Sequence, residues 1–372
     1  MSDLDKFRGC LVAGAAGDAL GYEVEFLSEE AIFNRFGESG ITEYRLRDGV
    51  AQISDDTQMT LFTATGLLLG TTRGKMRGIM GGYEDYIHDS YDDWYETQTE
   101  TYPLGDYYHY SWLVNLPQMF SRRAPGNTCL TALDSDESGS TKKPINHSKS
   151  CGGVMRVSPI GLYFCDRRTT IFESDRIGAE AAAITHGHDL GWLPAAALVH
   201  IIRRLAENEG ETVLHAVQDS MAALKKLYPE SDYLQVLLDL MQKAINLSQE
   251  EYDDLDAIHL LGQGWVAEET LAVAIYCAMK YPTDLEKALI AAVNHNGDSD
   301  STGAVTENIL GASIGYKNIP QKFLDNLELK DVILEIADDL YNDCKMSEYG
   351  NYEDPVWEAK YIRMSYPIVN RR

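Results

Sequence analysis

The sequence predicts a helical bundle, and the placement of its apolar and glycine residues carries that reading. After Asp56, apolar residues recur at Met59, Phe62, Gly66 and Leu69, the spacing of one buried helix face. A second stripe, Phe7, Cys10, Leu11 and Ala15, runs near the start of the chain. Towards the other end, Gly303, Gly311 and Gly315 fall at near-helical spacing in an apolar stretch, which permits close approach of a neighbouring backbone. A helix lined in this way belongs inside a bundle.

The first helix is expected to break near Gly21, within Gly14-Ala-Ala-Gly-Asp-Ala-Leu-Gly-Tyr-Glu-Val-Glu-Phe26, leaving Glu25 just past the break. That end of a helix dipole disfavours negative charge, so Glu25 calls for compensation. In Ile53-Ser-Asp-Asp-Thr-Gln-Met59, Ser54 suits an N-cap, and Asp55 and Asp56 suit the first helical turn. Residues 83–112 are dense in aromatics, among them Tyr91, Trp94, Tyr95, Tyr107, Tyr108 and Trp112. Most read as packing residues, but some offer a face on which a base stacks. The polar stretch 134–143 reads as an exposed loop. It leads into Asn146-His-Ser-Lys-Ser-Cys-Gly-Gly153, whose paired glycines let successive N–H groups converge on an anion.

Further on, Thr185-His-Gly-His188 serves either as a helix-end cap or as a ligand contact. Residues 234–245 read as an amphipathic helix, and the acidic run Glu250-Glu-Tyr-Asp-Asp-Leu-Asp256 as a solvated insertion. Asp298 and Asp300 are two apart, a spacing that shares a side only in extended chain, so both are expected on the turn before a helix beginning at Thr302. From Leu327 onward a helix carrying Ile333, Ile336 and Leu340 gives way to an aromatic tail with Tyr349, Tyr352 and Trp357.

The two Ser/Asp clusters, at 54–56 and 298–301, carry the chemistry. Crowded carboxylates repel one another, and burial penalises each of them, so the grouping is favourable only with a bound cation or full solvation. The apolar stripe behind Asp56 draws that cluster inward and argues against solvation.

Gly17-Asp-Ala-Leu-Gly-Tyr-Glu-Val-Glu25, Ser54-Asp-Asp-Thr-Gln-Met59, Cys151-Gly-Gly-Val-Met-Arg156, Thr185-His-Gly-His188 and Gly297-Asp-Ser-Asp-Ser301 occur in the order found in the ADP-ribosylglycohydrolase family. Arg123-Ala-Pro-Gly-Asn-Thr-Cys-Leu130 and Gly264-Trp-Val-Ala-Glu-Glu-Thr-Leu271 resemble its bacterial members. The resemblance implies an all-α, compact orthogonal helical bundle with a central dinuclear metal cleft. It implies hydrolysis of the bond between ADP-ribose and an acceptor, with an ADP-ribosylated protein or a small ADP-ribose conjugate as partner.

The family's metal ligands fall on Ser54, Asp55, Asp56, Asp298, Asp300 and Ser301. This all-oxygen set suits two Mg2+ (or Mn2+) ions rather than zinc. Many relatives carry threonine at the first and last of these positions; serine supplies the same hydroxyl with a looser rotamer. Glu25, Asp56 and Asp300 are the expected catalytic carboxylates. Ser150, Cys151, Gly152 and Gly153 form the expected diphosphate cradle, and His186 borders the substrate in relatives. Lys149 and Arg156 are placed to neutralise phosphate, Arg156 equally to serve as a buried structural partner.

Rival readings come from other classes. His188-Asp189, with His147 upstream and Asp298 downstream, superficially resembles helical HD-type metal phosphohydrolases, which would favour transition metals. A non-catalytic ADP-ribose-binding protein is the other alternative. A formal net charge of −26 over 372 residues argues against nucleic acid as a bulk partner. The absence of a Pro/Gly/Ser-rich linker points to one domain over 1–372, and the sequence leaves monomer and homodimer open. The six cysteines lack metal or disulfide spacing and read as free thiols. Met-Ser-Asp-Leu-Asp-Lys at the start resembles no signal peptide, and no apolar run reaches membrane-spanning length, so a cytoplasmic, membrane-free protein is expected.

Overall fold

The computed structural model describes residues 3–135, 137–167 and 169–366. Met1 and Ser2 of the opening segment, and Asp136 of the polar loop, lie outside the described residues. The chain forms α1 (Leu4–Gly21), α2 (Glu29–Phe36), α3 (Asp55–Arg77), α4 (Tyr83–Thr99), α5 (Asn127–Leu133), α6 (Ser158–Tyr163), α7 (Ile171–Ala183), α8 (Asp189–Glu207) and α9 (Val213–Leu227). There follow α10 (Leu234–Ser248), α11 (Asp254–Leu261), α12 (Ala267–Lys280), α13 (Leu285–Val293), α14 (Ser299–Ile314), α15 (Gln321–Leu324), α16 (Lys330–Asn342) and α17 (Pro355–Tyr361). Among the described residues β structure is confined to isolated bridges, so the fold is all-α as expected.

The centre of the bundle is the crossing of α1 with α14, where glycines bring the two backbones together. A Cβ added at Gly17 would lie 2.3 Å from the Gly303 carbonyl oxygen, and one at Gly9 would lie 2.4 Å from that of Gly311. Gly315 plays a different part from the one its spacing predicts. It ends α14 at φ +81°, a conformation that favours glycine.

Helix α3 packs beside this pair, its Met59, Leu61, Phe62 and Leu67–Leu69 stretch fully buried. Helix α4 lies on α3: Trp94 donates its indole N–H to Gln58 Oε1 at 3.1 Å, and Tyr91 meets the Thr63 hydroxyl at 2.6 Å. The aromatic tail closes over the far side of α3, where Trp357 donates its indole N–H to the Thr72 hydroxyl. The acidic run is partly structural. Asp253 caps α11, and Asp254 accepts the Tyr276 and Tyr281 hydroxyls. All the cysteines are free thiols. No described helix is long and apolar enough to cross a membrane.

Candidate metal centre and substrate cleft

Ser54 is the N-cap of α3; its hydroxyl accepts the Asp56 N–H at 3.2 Å, which places Asp55 and Asp56 in the first turn. Helix α14 starts at Ser299, earlier than the expected Thr302, because the Asp298 carboxylate caps it by accepting the Ser301 N–H. Asp298 is therefore the cap, and Asp300 a first-turn residue. Since α1 and α14 touch backbone to backbone, the turn after α1 carries Glu25 to the start of α14. A carboxylate oxygen from each of Glu25, Asp298 and Asp300 can be chosen so that all lie within 4.8 Å of one another.

A cleft of about 500 Å³ opens over these groups, lined by Glu25, Asp55, Asp56, Asp298, Asp300 and Ser301. Ser54 lies fully buried beneath them. No lysine or arginine is among the described residues that line it. Burial, with Asp300 as the next contributor, pushes Asp55, Asp56 and Asp298 well above the usual carboxylate range. The same causes raise Glu25 to about 11. Glu25 Oε2 and Asp56 Oδ2 are buried without any hydrogen-bond partner. Such a set cannot all ionise unless positive charge enters the cleft. Glu25 and the two Ser/Asp clusters offer only oxygen donors, so these residues fit hard divalent cations.

Sequence reasoning missed the residue that fixes this geometry. Asp18, fully buried in α1, accepts the Ser54 N–H at 3.0 Å and the Thr57 N–H at 3.1 Å, and it binds the Thr57 hydroxyl. Burial, then Asp300, raises it to about 7. An acid inside an otherwise apolar, small-residue helix was the available signal.

The glycine loop forms the opposite wall. Ser150, Cys151 and Gly152 line the cleft, and the Cys151 thiol donates to Asp298 Oδ2 at 2.7 Å. Gly153 sits behind, where a Cβ would fall 2.7 Å from the Gly191 carbonyl oxygen. His186 is fully buried and does not line the cleft. Its Nε2 meets the Ser150 hydroxyl at 2.8 Å and its Nδ1 the Thr185 hydroxyl at 2.8 Å. Burial and the nearby Arg156 hold it down at about 3, a neutral ring that orients Ser150. Arg156 is a structural partner: fully buried, its guanidinium stacks on Tyr91 and donates to Thr185 and Ala181. Lys149 pairs with Glu268.

The segment 263–267 stitches the two walls together. Gln263 O accepts the Asp298 N–H at 2.8 Å, Trp265 O accepts the Cys151 N–H, and the Ala267 N–H donates to Lys149 O. It holds Trp265 at the rim, stacked with the exposed Phe26 at 6.2 Å between ring centroids. These two, rather than the aromatics of 83–112, are the aromatic residues lining the cleft. His147, His188 and Asp189 join no described group close enough to share an ion. His188 instead caps α8.

Comparison with known proteins agrees with this architecture. The family model for ADP-ribosylglycohydrolase matches residues 1–349. The ADP-ribosylhydrolase ARH3 of Danio rerio is 25% identical over 370 residues, covering 91% of this chain and 90% of that protein. The ADP-ribosyl-[dinitrogen reductase] glycohydrolase of Rhodospirillum rubrum is 24% identical over 333 residues, covering 88% and 91%. A solved ADP-ribosylglycohydrolase-related protein complex superposes with a TM-score of 0.56 at 21% identity, over 91% of this chain and 98% of that one, and shares the fold. With the family model spanning nearly the whole sequence, this chain belongs to the ADP-ribosylglycohydrolase family.

Proposed function

We propose that this protein is a single-domain, metal-dependent hydrolase that cleaves the glycosidic bond between ADP-ribose and its acceptor, a modified protein side chain or a small ADP-ribose conjugate. One observation carries the reading: buried carboxylates from the first and last thirds of the chain converge on a cleft that no basic side chain lines among the described residues, two of them with an unpartnered oxygen. Ser54, Asp55, Asp56, Asp298, Asp300 and Ser301 would hold two Mg2+ or Mn2+ ions. Bound there, the ions would supply a Lewis acid for ribose hydroxyls and would lower the pKa of water.

The chain's own residues do the rest. Asp18 fixes the start of α3, so Asp55 and Asp56 meet Asp300 in a set geometry. Ser150, Cys151 and Gly152 bound the diphosphate, Ser150 being oriented by His186. Phe26 and Trp265 offer the apolar faces for adenine at the rim. Glu25 holds a proton while the cleft lacks positive charge; bound cations would lower its pKa, which would suit a general base accepting a proton at Oε2.

Incubation of Mg2+- or Mn2+-loaded protein with ADP-ribosylated arginine, ADP-ribosylated serine and small conjugates tests the reading by release of free ADP-ribose. Turnover of at least one substrate, abolished by chelation and by Asp300→Asn, is expected. Binding of ADP-ribose without release from any substrate would favour a binding protein instead.

A further inference from the structure

A second cluster of ligating side chains lies where α4 meets the chain that follows it, away from the carboxylate cleft. Asp93 and Glu96, three residues apart on α4, share a helix face, and His109 reaches them from the chain that follows. One ligand atom from each can be chosen so that all lie within 4.8 Å of one another. We propose that Asp93, Glu96 and His109 form a transition-metal site, taking Zn2+ or a similar borderline divalent ion, that clasps the 100–110 segment to α4.

The hydrogen-bond pattern is what distinguishes this cluster from a solvated acidic patch. His109 Nε2 lies 3.3 Å from the Gly105 carbonyl oxygen, an acceptor only, so Nε2 carries the ring hydrogen. In the neutral ring that leaves Nδ1 as the lone-pair nitrogen, buried and without a well-formed hydrogen bond. It points at two carboxylates, 3.5 Å from Asp93 Oδ1 and 3.9 Å from Glu96 Oε2. Both separations are those of long ion pairs, beyond the roughly 2.7–3.2 Å of a usual hydrogen bond. They approach the spacing of roughly 3.4 Å between ligands arranged tetrahedrally at about 2.1 Å from a zinc ion.

The supporting contacts are those that metal ligands receive. Asp93, only 3% exposed, commits Oδ2 to the N–H groups of Tyr110 at 2.7 Å and Ser111 at 2.6 Å, leaving Oδ1 to face His109. Glu96 Oε2 accepts the Tyr107 hydroxyl at 2.9 Å, and the Tyr107 ring packs on His109. A histidine donating its second nitrogen to a backbone carbonyl, beside carboxylates that are themselves hydrogen-bonded, is the outer-shell arrangement of a metal site. The competing occupant of the same space is a proton on Nδ1, since a long hydrogen bond to Asp93 and its negative charge hold His109 above the usual imidazole range. Imidazole ligation selects zinc-like ions over magnesium, so the site discriminates against the ions suited to the all-oxygen cleft.

Equilibrium dialysis of the full-length chain against ZnCl2, with Mg2+ in large excess, tests the proposal without reference to hydrolysis. Wild-type protein is expected to retain a zinc ion that His109→Ala and Glu96→Gln do not. Tyr107→Phe should bind it about 10–100-fold more weakly. The cleft variant Asp55→Asn/Asp300→Asn should retain it. With Co2+ in place of Zn2+, the visible ligand-field spectrum should change on His109→Ala. Circular dichroism verifies that each variant is folded, and the half-exposed Glu96 is a safe site to alter. Zinc retention equal in wild type and His109→Ala, or no zinc retained under excess Mg2+, would overturn the proposal and leave the hydrolase reading untouched.

Discussion

Asp18 sets the geometry of the cleft from beneath it. Its carboxylate accepts the Ser54 N–H on both oxygens and Thr57 on Oδ2, so an asparagine would set its amide N–H, a donor, against one of these donors. Asp18→Asn should leave a buried N–H unpaired at a cost of about 1–3 kcal/mol. It should also weaken the proposed Mn2+ binding about 10–100-fold, as loss of a group that orients the ligating residues does. Calorimetric titration checks this; unchanged affinity would remove Asp18 from its role. Trp265 is the second residue to test. If adenine stacks at the rim, Trp265→Ala should cost about 1–3 kcal/mol, raising KM roughly tenfold to a hundredfold with kcat retained. Steady-state kinetics on whichever conjugate is turned over would show it; a fall in kcat alone would place Trp265 elsewhere. The sequence made the ligand-rich residues legible because carboxylates beside hydroxyls at a helix start are a local pattern. Asp18 and Trp265 were harder, since each acts on a segment remote in sequence: Asp18 on Ser54, and the strap bearing Trp265 on Asp298 and Cys151.

Among the elements, the α1–α14 crossing decides whether the carboxylates meet. Gly17 against Gly303 and Gly9 against Gly311 leave no room for a methyl group, since the obstructing atoms are backbone and cannot rotate away. Gly17→Ala should therefore force the helices apart, destabilising the fold by about 1–3 kcal/mol. The same shift would separate Glu25 from Asp298 and Asp300, so Mn2+ affinity should fall along with the melting temperature. A loss of stability with metal affinity intact would mean that the crossing braces the bundle without setting the site. The glycine spacing in α14 announced a close neighbour but not its identity, because periodicity describes a face and not what covers it. The expected start of that helix was late for a related reason. Spacing of two favoured an extended turn, whereas the Asp298 side chain caps the helix and draws Asp300 into its first turn.

At the scale of the whole molecule, a chain of net charge −26 that also buries a nest of carboxylates must respond to pH in a way that metal reverses. Carboxyls held above their unfolded values bind more protons in the folded state, so metal-free stability should fall as pH rises. Unfolded carboxylates titrate near 4; Asp18 titrates at about 7 and Glu25 at about 11 in the fold, which extends the decline through neutrality. The buried His186 and His295 are held down, at about 3 and about 4, and contribute the opposite sign, stability that grows with pH up to the unfolded histidine value. Above about pH 6.5 that contribution is complete, so the decline is cleanest between neutrality and pH 8.5. His109, held up by Asp93, adds to the decline with or without Mg2+ and cancels when the two conditions are compared. Calorimetric melting in EDTA should therefore show the transition temperature falling across that window. If the cleft takes Mg2+ as proposed, the ions would displace those protons, and the stabilisation they give should increase with pH over the same range. A chelated protein whose melting temperature stays level or climbs from pH 7 to 8.5 would show that the carboxylates are not buried together, and the dimetal reading would lose its electrostatic basis.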